Sequence, residues 1–423
     1  MHRDVIVIGA GMAGLLTAYR LKKQGKNVLV LEAKTISSGQ TGRTTAKITC
    51  QHDIKYSKLL KTLGYEKAKQ YAKANKEAIR EYEKIIMENG IECDFKRTSA
   101  YLYTKTNTQI LKEEVKAASL LGIDAYYTKK TELPFSVEGA VCFRDQAQFE
   151  PHRFIKFISA GLDIYENTKV LKIKGNKVIT SDGVFNGDSI VVATHYPIVN
   201  VPGFYFLRQH QERSYVLELS GCPRIEGMYY GVDNDGFSFR QAGENLLFGG
   251  ASHRTGVNPP KGSFCYLRKK AKELYPESKE VSCWAAQDCM PHDGVPFIGK
   301  YSYFKNNLYV ITGFQKWGMT SSMVAAMIIT DMICGKKNPY SKVFSPQRIY
   351  VKAGIVKFLT DVVISTKGLV CGFFGGRKKR CTHLGCRLVW NKEEKSFDCP
   401  CHGSRFDDAG HVLDNPAIKL KRR

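Results

Sequence analysis

Two short runs near the C-terminus, Cys381-Thr382-His383-Leu384-Gly385-Cys386 and Cys399-Pro400-Cys401-His402-Gly403-Ser404, concentrate thiols and imidazoles. Cys381-x-His383 and Cys399-x-x-His402 are separated by fifteen residues. Two thiolates and two imidazoles in that order suit a 2Fe–2S centre with cysteine on one iron and histidine on the other. A tetrahedral zinc site uses the same residue types. The short Cys-x-His step, the extra cysteine in each run and the Gly403-Ser404 that follows all argue against zinc. A centre of this kind carries one electron and makes no bond to substrate, so the rest of the chain has to supply the electron.

The other end of the chain offers a source. Asp4–Ile8 reads as a buried strand, Gly9-Ala10-Gly11-Met12-Ala13-Gly14 follows at once, and Leu15–Lys23 has helical spacing. Gly25 ends that helix, and Asn27–Leu31 forms a second strand running into Glu32, 18 residues beyond Gly14. In such a strand–turn–helix–strand unit, glycines let a pyrophosphate approach the helix N-terminus, and the acid receives the ribose hydroxyls. Gly39–Lys47, with Arg43, Thr44 and Thr45, follows the acid after a short loop. Much later, Tyr309–Thr320 reads as a strand, a turn at Gly313 and a helix start at Trp317-Gly318-Met319-Thr320. Backbone N–H groups at that helix start would face the pyrimidine edge of a flavin ring. The chain has no second glycine fingerprint, which argues against a separate NAD(P)H domain.

On these residues the chain resembles the D-amino-acid oxidase/glycine oxidase superfamily of FAD-dependent oxidoreductases over residues 4–345. The resemblance implies FAD rather than NAD, bound by Gly9, Gly11, Gly14, Glu32, Arg43, Thr44, Thr45, Gly313, Trp317, Gly318, Met319 and Thr320. It further implies that the strand at Val170 meets the adenine and that Ser189–Thr194 leads into His195-Tyr196-Pro197. The two C-terminal runs resemble the Rieske iron–sulfur proteins over residues 361–423. That resemblance implies Cys381 and Cys399 on one iron, His383 and His402 on the other, and a disulfide between Cys386 and Cys401. Ser404 supplies a hydrogen-bond donor to the sulfurs. Respiratory Rieske proteins place a tyrosine two residues later, where this chain has Phe406; one donor fewer predicts a lower reduction potential.

Substrates of the resembled superfamily are mostly amines and amino acids. Its amino-acid-oxidising members grip the carboxylate with an arginine shortly before an Asp-Gly-x-Pro segment. Here Asp293-Gly294-Val295-Pro296 is preceded by Asp288 at that place, which would repel a carboxylate and welcome an ammonium. The catalytic residues are unknown from sequence; Arg213, Tyr215, Arg240 and Asp288 are candidates, with His253 and Arg254 behind them. A structural hydrogen bond or ion pair is the alternative role for each. His52 and His195 read as structural or near the cofactor, and neither Cys50 nor Cys265 sits in a context for covalent flavin attachment. The leading reading is a dehydrogenase that oxidises a C–N bond and passes electrons from flavin to the cluster. The alternatives are an oxygen-reducing amine oxidase with a vestigial cluster region and a redox sensor without turnover.

The elements that must position these groups imply an α/β fold class. A doubly wound parallel sheet and an antiparallel substrate sheet are expected, followed by a small all-β domain. Residues 1–345 form the FAD region, 346–363 a linker helix and 364–423 the Rieske region. Arg213–Leu219, Met228–Arg240 and Leu246–Ala251 alternate like strands of the substrate sheet, while Lys55–Asn89 and Gln109–Leu121 have helical spacing. Asp361–Arg380 looks neither like a strand pair nor like core, so the Rieske region is expected to be shortened at its start by about thirty residues, or to borrow core from the flavoprotein.

Of the 423 residues, 64 are basic and 40 acidic, for a net charge of +24. No recognition motif accompanies the charge, so nucleic acid is not expected as a partner. The expected partners are a small-molecule substrate and an external electron acceptor of acidic character, with at most peripheral membrane contact. The strand beginning at Asp4 leaves no room for a signal peptide, and the thirteen cysteines suit a reducing cytoplasm.

Overall fold

A computed structural model describes residues 2–374 and 380–419. The branched runs Val5–Ile8, Val28–Leu31 and Ile190–Val192 are buried on both faces, as strands at the centre of a parallel sheet must be. The sheet order is Phe297–Ser302, Lys305–Thr312, Val184–Val192, His2–Ile8, Val28–Leu31 and Asp163–Tyr165. A hairpin, Val170–Lys174 with Lys177–Thr180, joins beside Val184–Val192. Helices Met12–Lys23 and Gly318–Ile333 pack together against this sheet, and the second buries nearly all its first thirteen residues.

A nine-stranded sheet lies beside it. Its path runs Lys279–Pro291, Gln209–Ser220, Asn245–Arg254, Ser238–Ala242, Met228–Gly231, Lys96–Thr104, Gly139–Gln148 and Lys47–Ile48, with Ala125–Thr128 paired to Gly139–Gln148. The predicted strand Met228–Arg240 is two strands joined by a turn. The predicted helix Lys55–Asn89 is also two, Tyr56–Leu63 and Tyr65–Glu88, broken at Gly64 with φ +79°. A positive φ there ends one helix and redirects the chain into the next.

The C-terminal region contains a four-stranded antiparallel sheet, Val389–Asn391, Ser396–Asp398, Arg405–Phe406 and Val412–Asp414. Its apolar core is small, built on Leu388, Phe406, Ala417 and four cysteines. The lead-in is not a strand pair but one long helix, Val351–Phe374, starting later and running eleven residues beyond the linker helix expected to stop at Val363. Its inward residues Gly354, Phe358, Asp361, Ser365, Gly368 and Gly372 recur at steps of four and three, the spacing of one helix face. The glycines that disguised the helix in sequence are what permit its close approach. A Cβ on Gly368 would sit 2.5 Å from Cys401 Sγ, and one on Gly372 2.2 Å from the Gly385 carbonyl oxygen. Of the basic run Arg377–Arg380, only Arg380 is described, and of Lys419–Arg423 only Lys419; the remainder lie outside the described residues.

Candidate functional site

The first glycine turn does what its spacing predicts. Gly9 has φ +109°, and a Cβ there would lie 2.5 Å from the Ala193 carbonyl oxygen. Gly14 sits beneath it, where a Cβ would strike the Gly9 carbonyl at 2.0 Å. Gly14 therefore lets strand and helix close up and does not itself line the cavity. The Glu32 carboxylate accepts from the backbone N–H groups of Ala10 at 2.8 Å and Lys34 at 2.9 Å, at the rim of the same turn.

Above the turn opens a cavity of about 370 Å³. Gly9, Gly11, Glu32, Arg43, Thr44, Thr45, Val170, Gly313, Trp317, Gly318 and Met319 all line it. Thr320 does not; its hydroxyl donates to the Thr49 carbonyl at 3.0 Å and meets His52 Nε2 at 3.1 Å. The start of helix Gly318–Ile333 has no side-chain cap, so its first N–H groups remain for a ligand. His52 is structural, stacked on Trp317 with ring centroids 5.1 Å apart. His195 does reach the cavity, with φ +62° and a buried Nε2 that has no hydrogen-bond partner. Burial pushes its imidazole down to about 4, so it is neutral at pH 7. A glycine cradle, an uncapped helix start and an unpartnered cavity nitrogen fit a dinucleotide. Cys50 and Cys265 are both outside the lining.

Charged side chains gather along one part of the cavity. Asp288 lines it, accepting from Ser214 Oγ at 3.2 Å, and burial pushes its carboxyl up to about 6. Facing the same cavity is Lys316, which sequence reading passed over inside the Gly313–Thr320 turn; its Nζ donates to Ser252 Oγ at 2.5 Å. Burial opposes its charge, but Tyr230, Glu212, Asp288 and Asp53 together hold its pKa above the ordinary lysine value. Lys47 is a second residue missed. It lines the cavity, donates to the Tyr229 carbonyl at 2.8 Å and Ser238 Oγ at 2.6 Å, and is pushed down to about 7 by burial and the charge of Arg240.

The arginine candidates each have partners within the protein. Arg240 is buried with its guanidinium on the carbonyls of Thr45 at 2.7 Å and Phe149 at 2.9 Å, so it braces the flavin-side loop from behind. Arg213 is 1% exposed and ion-paired with Glu394 of the C-terminal region. Tyr215 borders the cavity, yet its hydroxyl also approaches Glu394 at 3.4 Å. A bulge between Arg213 and Tyr215 shifts the register with Asn245–Arg254; such a bulge re-aims side chains along a strand. His253 stacks on Tyr215. Arg254 donates to the carbonyls of Pro400 at 2.7 Å and Cys401 at 2.9 Å and pairs with Asp361.

The second site lies on those loops. The neighbouring Cys399 thiol and burial push the Cys381 thiol up. The rings of His383 and His402 lie 5.0 Å apart, and Phe206 meets both edge-on. Both Nδ1 atoms are buried without a hydrogen-bond partner, and His383 Nε2 bonds to Asn200 Oδ1 at 2.8 Å. Burial pushes the two imidazoles down to about 4 and about 3, which keeps them neutral as metal ligands must be. Two adjacent thiols and two orphaned, inward Nδ1 atoms fit a 2Fe–2S cluster. Ser404 adjoins Cys381, its Oγ accepting from the Ala417 N–H at 3.0 Å, and Phe406 is fully buried. Cys386 and Cys401 carry free thiols, so the bridge expected between them is not formed here. Their sulfurs, with that of Cys399, lie within 4.8 Å of one another.

The two sites share a wall. Four successive carbonyls of the second cluster loop are held by side chains of the nine-stranded sheet, in which Met228–Gly231 and Lys96–Thr104 pair in parallel: Pro400 and Cys401 by Arg254, His402 by Gln211 at 2.7 Å, and Gly403 by Gln287 at 2.7 Å. Leu413, Asp414, Asn415 and Ile418 complete the lining of the flavin cavity. Gln40 donates to Asp414 at 3.0 Å, and Asn415 to the Thr194 carbonyl at 3.2 Å. A further group, His210, His292 and Asp361, could hold a metal ion by its donor types. Its Asp361 is instead committed to Arg254 as well as to both histidines. This ion-pair knot pins the long helix to the flavoprotein.

Comparison with known proteins agrees with this geometry. Residues 4–332 match the family described as FAD dependent oxidoreductase (DAO), and residues 367–422 match the Rieske [2Fe-2S] domain. The chain is 34% identical to YhfW of Bacillus subtilis (strain 168), described as a Rieske 2Fe-2S iron-sulfur protein, over 98% of this chain and 92% of that one. Among solved structures it resembles glycine oxidase from Geobacillus kaustophilus, with TM-score 0.67, 19% identity and coverage of 82% and 99%. L-proline dehydrogenase from P. horikoshii is similar, with TM-score 0.67, 18% identity and coverage of 82% and 97%. The chain therefore belongs to the DAO family of FAD-dependent oxidoreductases and carries a C-terminal Rieske domain, with FAD and a Rieske-type 2Fe–2S cluster as its cofactors.

Proposed function

We propose that the protein is a dehydrogenase that oxidises an amine or amino-acid-like C–N bond and passes the electrons to its own Rieske centre. FAD supplies two-electron oxidation of such a carbon, and a 2Fe–2S cluster supplies one-electron transfer outward. The observation that carries this reading is the shared wall: Leu413, Asp414 and Asn415 of the Rieske region line the flavin cavity, while Gln211 holds both the His402 and Asn415 carbonyls. The glycine oxidase and proline dehydrogenase likenesses support the substrate class.

At the substrate end, Asp288 receives an ammonium and Lys316 an anionic group of the same molecule. An acid and a base facing one cavity suit a zwitterion, so Lys316 supplies the cation missing at position 288. Tyr230 and Trp317, ring centroids 5.3 Å apart, form an apolar wall that limits water. Lys47, pushed down to about 7, can accept a proton from the ammonium at neutral pH. Within the Rieske region, Cys381, His383, Cys399 and His402 hold the cluster, and Cys386 and Cys401 are positioned to bridge its two loops. We place the protein in the cytoplasm, with an external acceptor that accepts single electrons.

The test is to follow substrate loss in air with a one-electron dye present, in wild type and Cys381→Ser. The reading expects dye reduction by wild type, peroxide well below substrate consumed, and loss of dye reduction in the variant. Peroxide equal to substrate loss, unchanged by Cys381→Ser, would instead establish an oxidase.

A further inference from the structure

Helix Val351–Phe374 buries one face and leaves the other bare. Nine large apolar residues on it are exposed. Val356 is 73% exposed, Val363 68%, Phe373 72% and Phe374 81%. Val356, Val363 and Val370 recur every seven residues, and Leu359 and Phe373 lie beside them, so they form one stripe along the helix. At 1.5 Å per residue the stripe from Val356 to Phe373 extends for about 26 Å. Exposed apolar surface of this extent marks an interaction site.

The charges on the helix decide what covers it. Lys352, Lys357 and Lys367 are exposed, and the single acid, Asp361, points inward to His210, His292 and Arg254. A second copy placed face to face would set lysine against lysine with no carboxylate between them. An anionic lipid surface complements both features: acyl chains receive the stripe, and headgroups receive the lysines. The net charge of +24 adds attraction over a longer range. No helix among the described residues is long and apolar enough to cross a membrane, so this one lies in the interface.

The stripe has neighbours of the same character. Leu384, 39% exposed, adjoins Gly385, whose carbonyl abuts Gly372 of the helix. The turn Tyr205–Leu207 packs on the helix, and Val201, Phe204 and Leu207 around it are exposed. We infer that the exposed face of helix Val351–Phe374 is an in-plane anchor that seats the protein on an anionic bilayer, with the His383 side of the cluster site beside the lipid surface.

The test uses the full-length holoprotein and vesicles of phosphatidylcholine alone or mixed with phosphatidylglycerol. Wild type is expected to sediment with mixed vesicles and not with phosphatidylcholine alone. Val356→Ser/Val363→Ser/Val370→Ser should lower partitioning to mixed vesicles at least about tenfold while keeping wild-type flavin absorbance. Phe373→Ser/Phe374→Ser, at the helix end, tests the same face if the triple variant fails to fold. Lys352→Gln/Lys357→Gln/Lys367→Gln should weaken binding to the mixed vesicles. The inference is overturned if wild type ignores both vesicles or if both serine variants bind as wild type does, showing diffuse charge alone. It is equally overturned if wild type is a dimer that these substitutions convert to monomer.

Discussion

The side-chain amide of Gln211 donates to the backbone carbonyl of His402 at 2.7 Å, tying the nine-stranded sheet to a histidine of the second Rieske loop. The same amide donates to the Asn415 carbonyl at 2.8 Å, and Asn415 lines the flavin cavity. One glutamine thus touches the frames of both redox sites. With Arg254 and Gln287 on the adjacent carbonyls, the cluster loop is fixed to the flavoprotein by neutral and charged hydrogen bonds along its length. Such a loop has no freedom to swing without breaking all of them.

Arg213→Met should loosen this docking. Arg213 is buried against Glu394, which also pairs with Arg405. Losing one partner of a buried pair costs ~3 kcal/mol. Chemical denaturation should show that loss, and the cluster EPR signal should broaden because the second loop is less ordered. An unchanged unfolding midpoint would show that the contact contributes nothing.

Asp288→Asn should remove a pH dependence. Burial raises the Asp288 carboxyl to about 6, so the anion that welcomes an ammonium is present above that pH and is lost as pH falls through it. Substrate kcat/KM should therefore drop on the acid side near pH 6 in wild type, and that limb should vanish in the variant along with most of the activity. The same shift has the opposite sign for stability. A carboxyl whose folded pKa is raised costs stability once pH exceeds the unfolded value. Asp288→Asn should thus stabilise the substrate-free protein at pH 8 by about 1–3 kcal/mol.

Ser404 and Phe406 should set the cluster potential. Ser404 adjoins Cys381, where its hydroxyl can donate to a sulfur, and Phe406 has no hydroxyl to add a second bond. One hydrogen bond of about 1 kcal/mol corresponds to about 40 mV for one electron. Redox titration should place Ser404→Ala lower and Phe406→Tyr higher than wild type by roughly that amount. A wild-type potential already at the respiratory value would contradict the assignment of Phe406.

Gly368→Val should damage the cluster loops while sparing the flavin. Its new side chain would begin 2.5 Å from Cys401 Sγ, and overpacking of that kind costs ~1–3 kcal/mol. Iron content should fall with flavin content unchanged. Full iron occupancy would show that the helix can move away without consequence.

Much of this was readable in sequence where local chemistry decides structure. Gly9 and Glu32, the turn at Gly313 and the Cys-x-His and Cys-x-x-His runs each depend on short-range spacing, which a local pattern records. The arginines were not readable. Whether Arg213 faces substrate or Glu394, some 180 residues away, depends on a bulge and a docked domain that no local pattern records. Lys316 was hidden for the opposite reason: its turn was read for backbone amides, not for a side chain. The long helix was read only as far as Val363 because Gly368 and Gly372 disfavour helix intrinsically, whereas packing against Cys401 and Gly385 requires them.

Anaerobic addition of a substrate amine or amino acid to the purified holoprotein, followed by optical and EPR spectra, bears most directly on the electron path. The account predicts that the flavin absorbance bleaches and that a reduced Rieske EPR signal appears in the same sample. Bleached flavin beside a cluster that stays oxidised would contradict it.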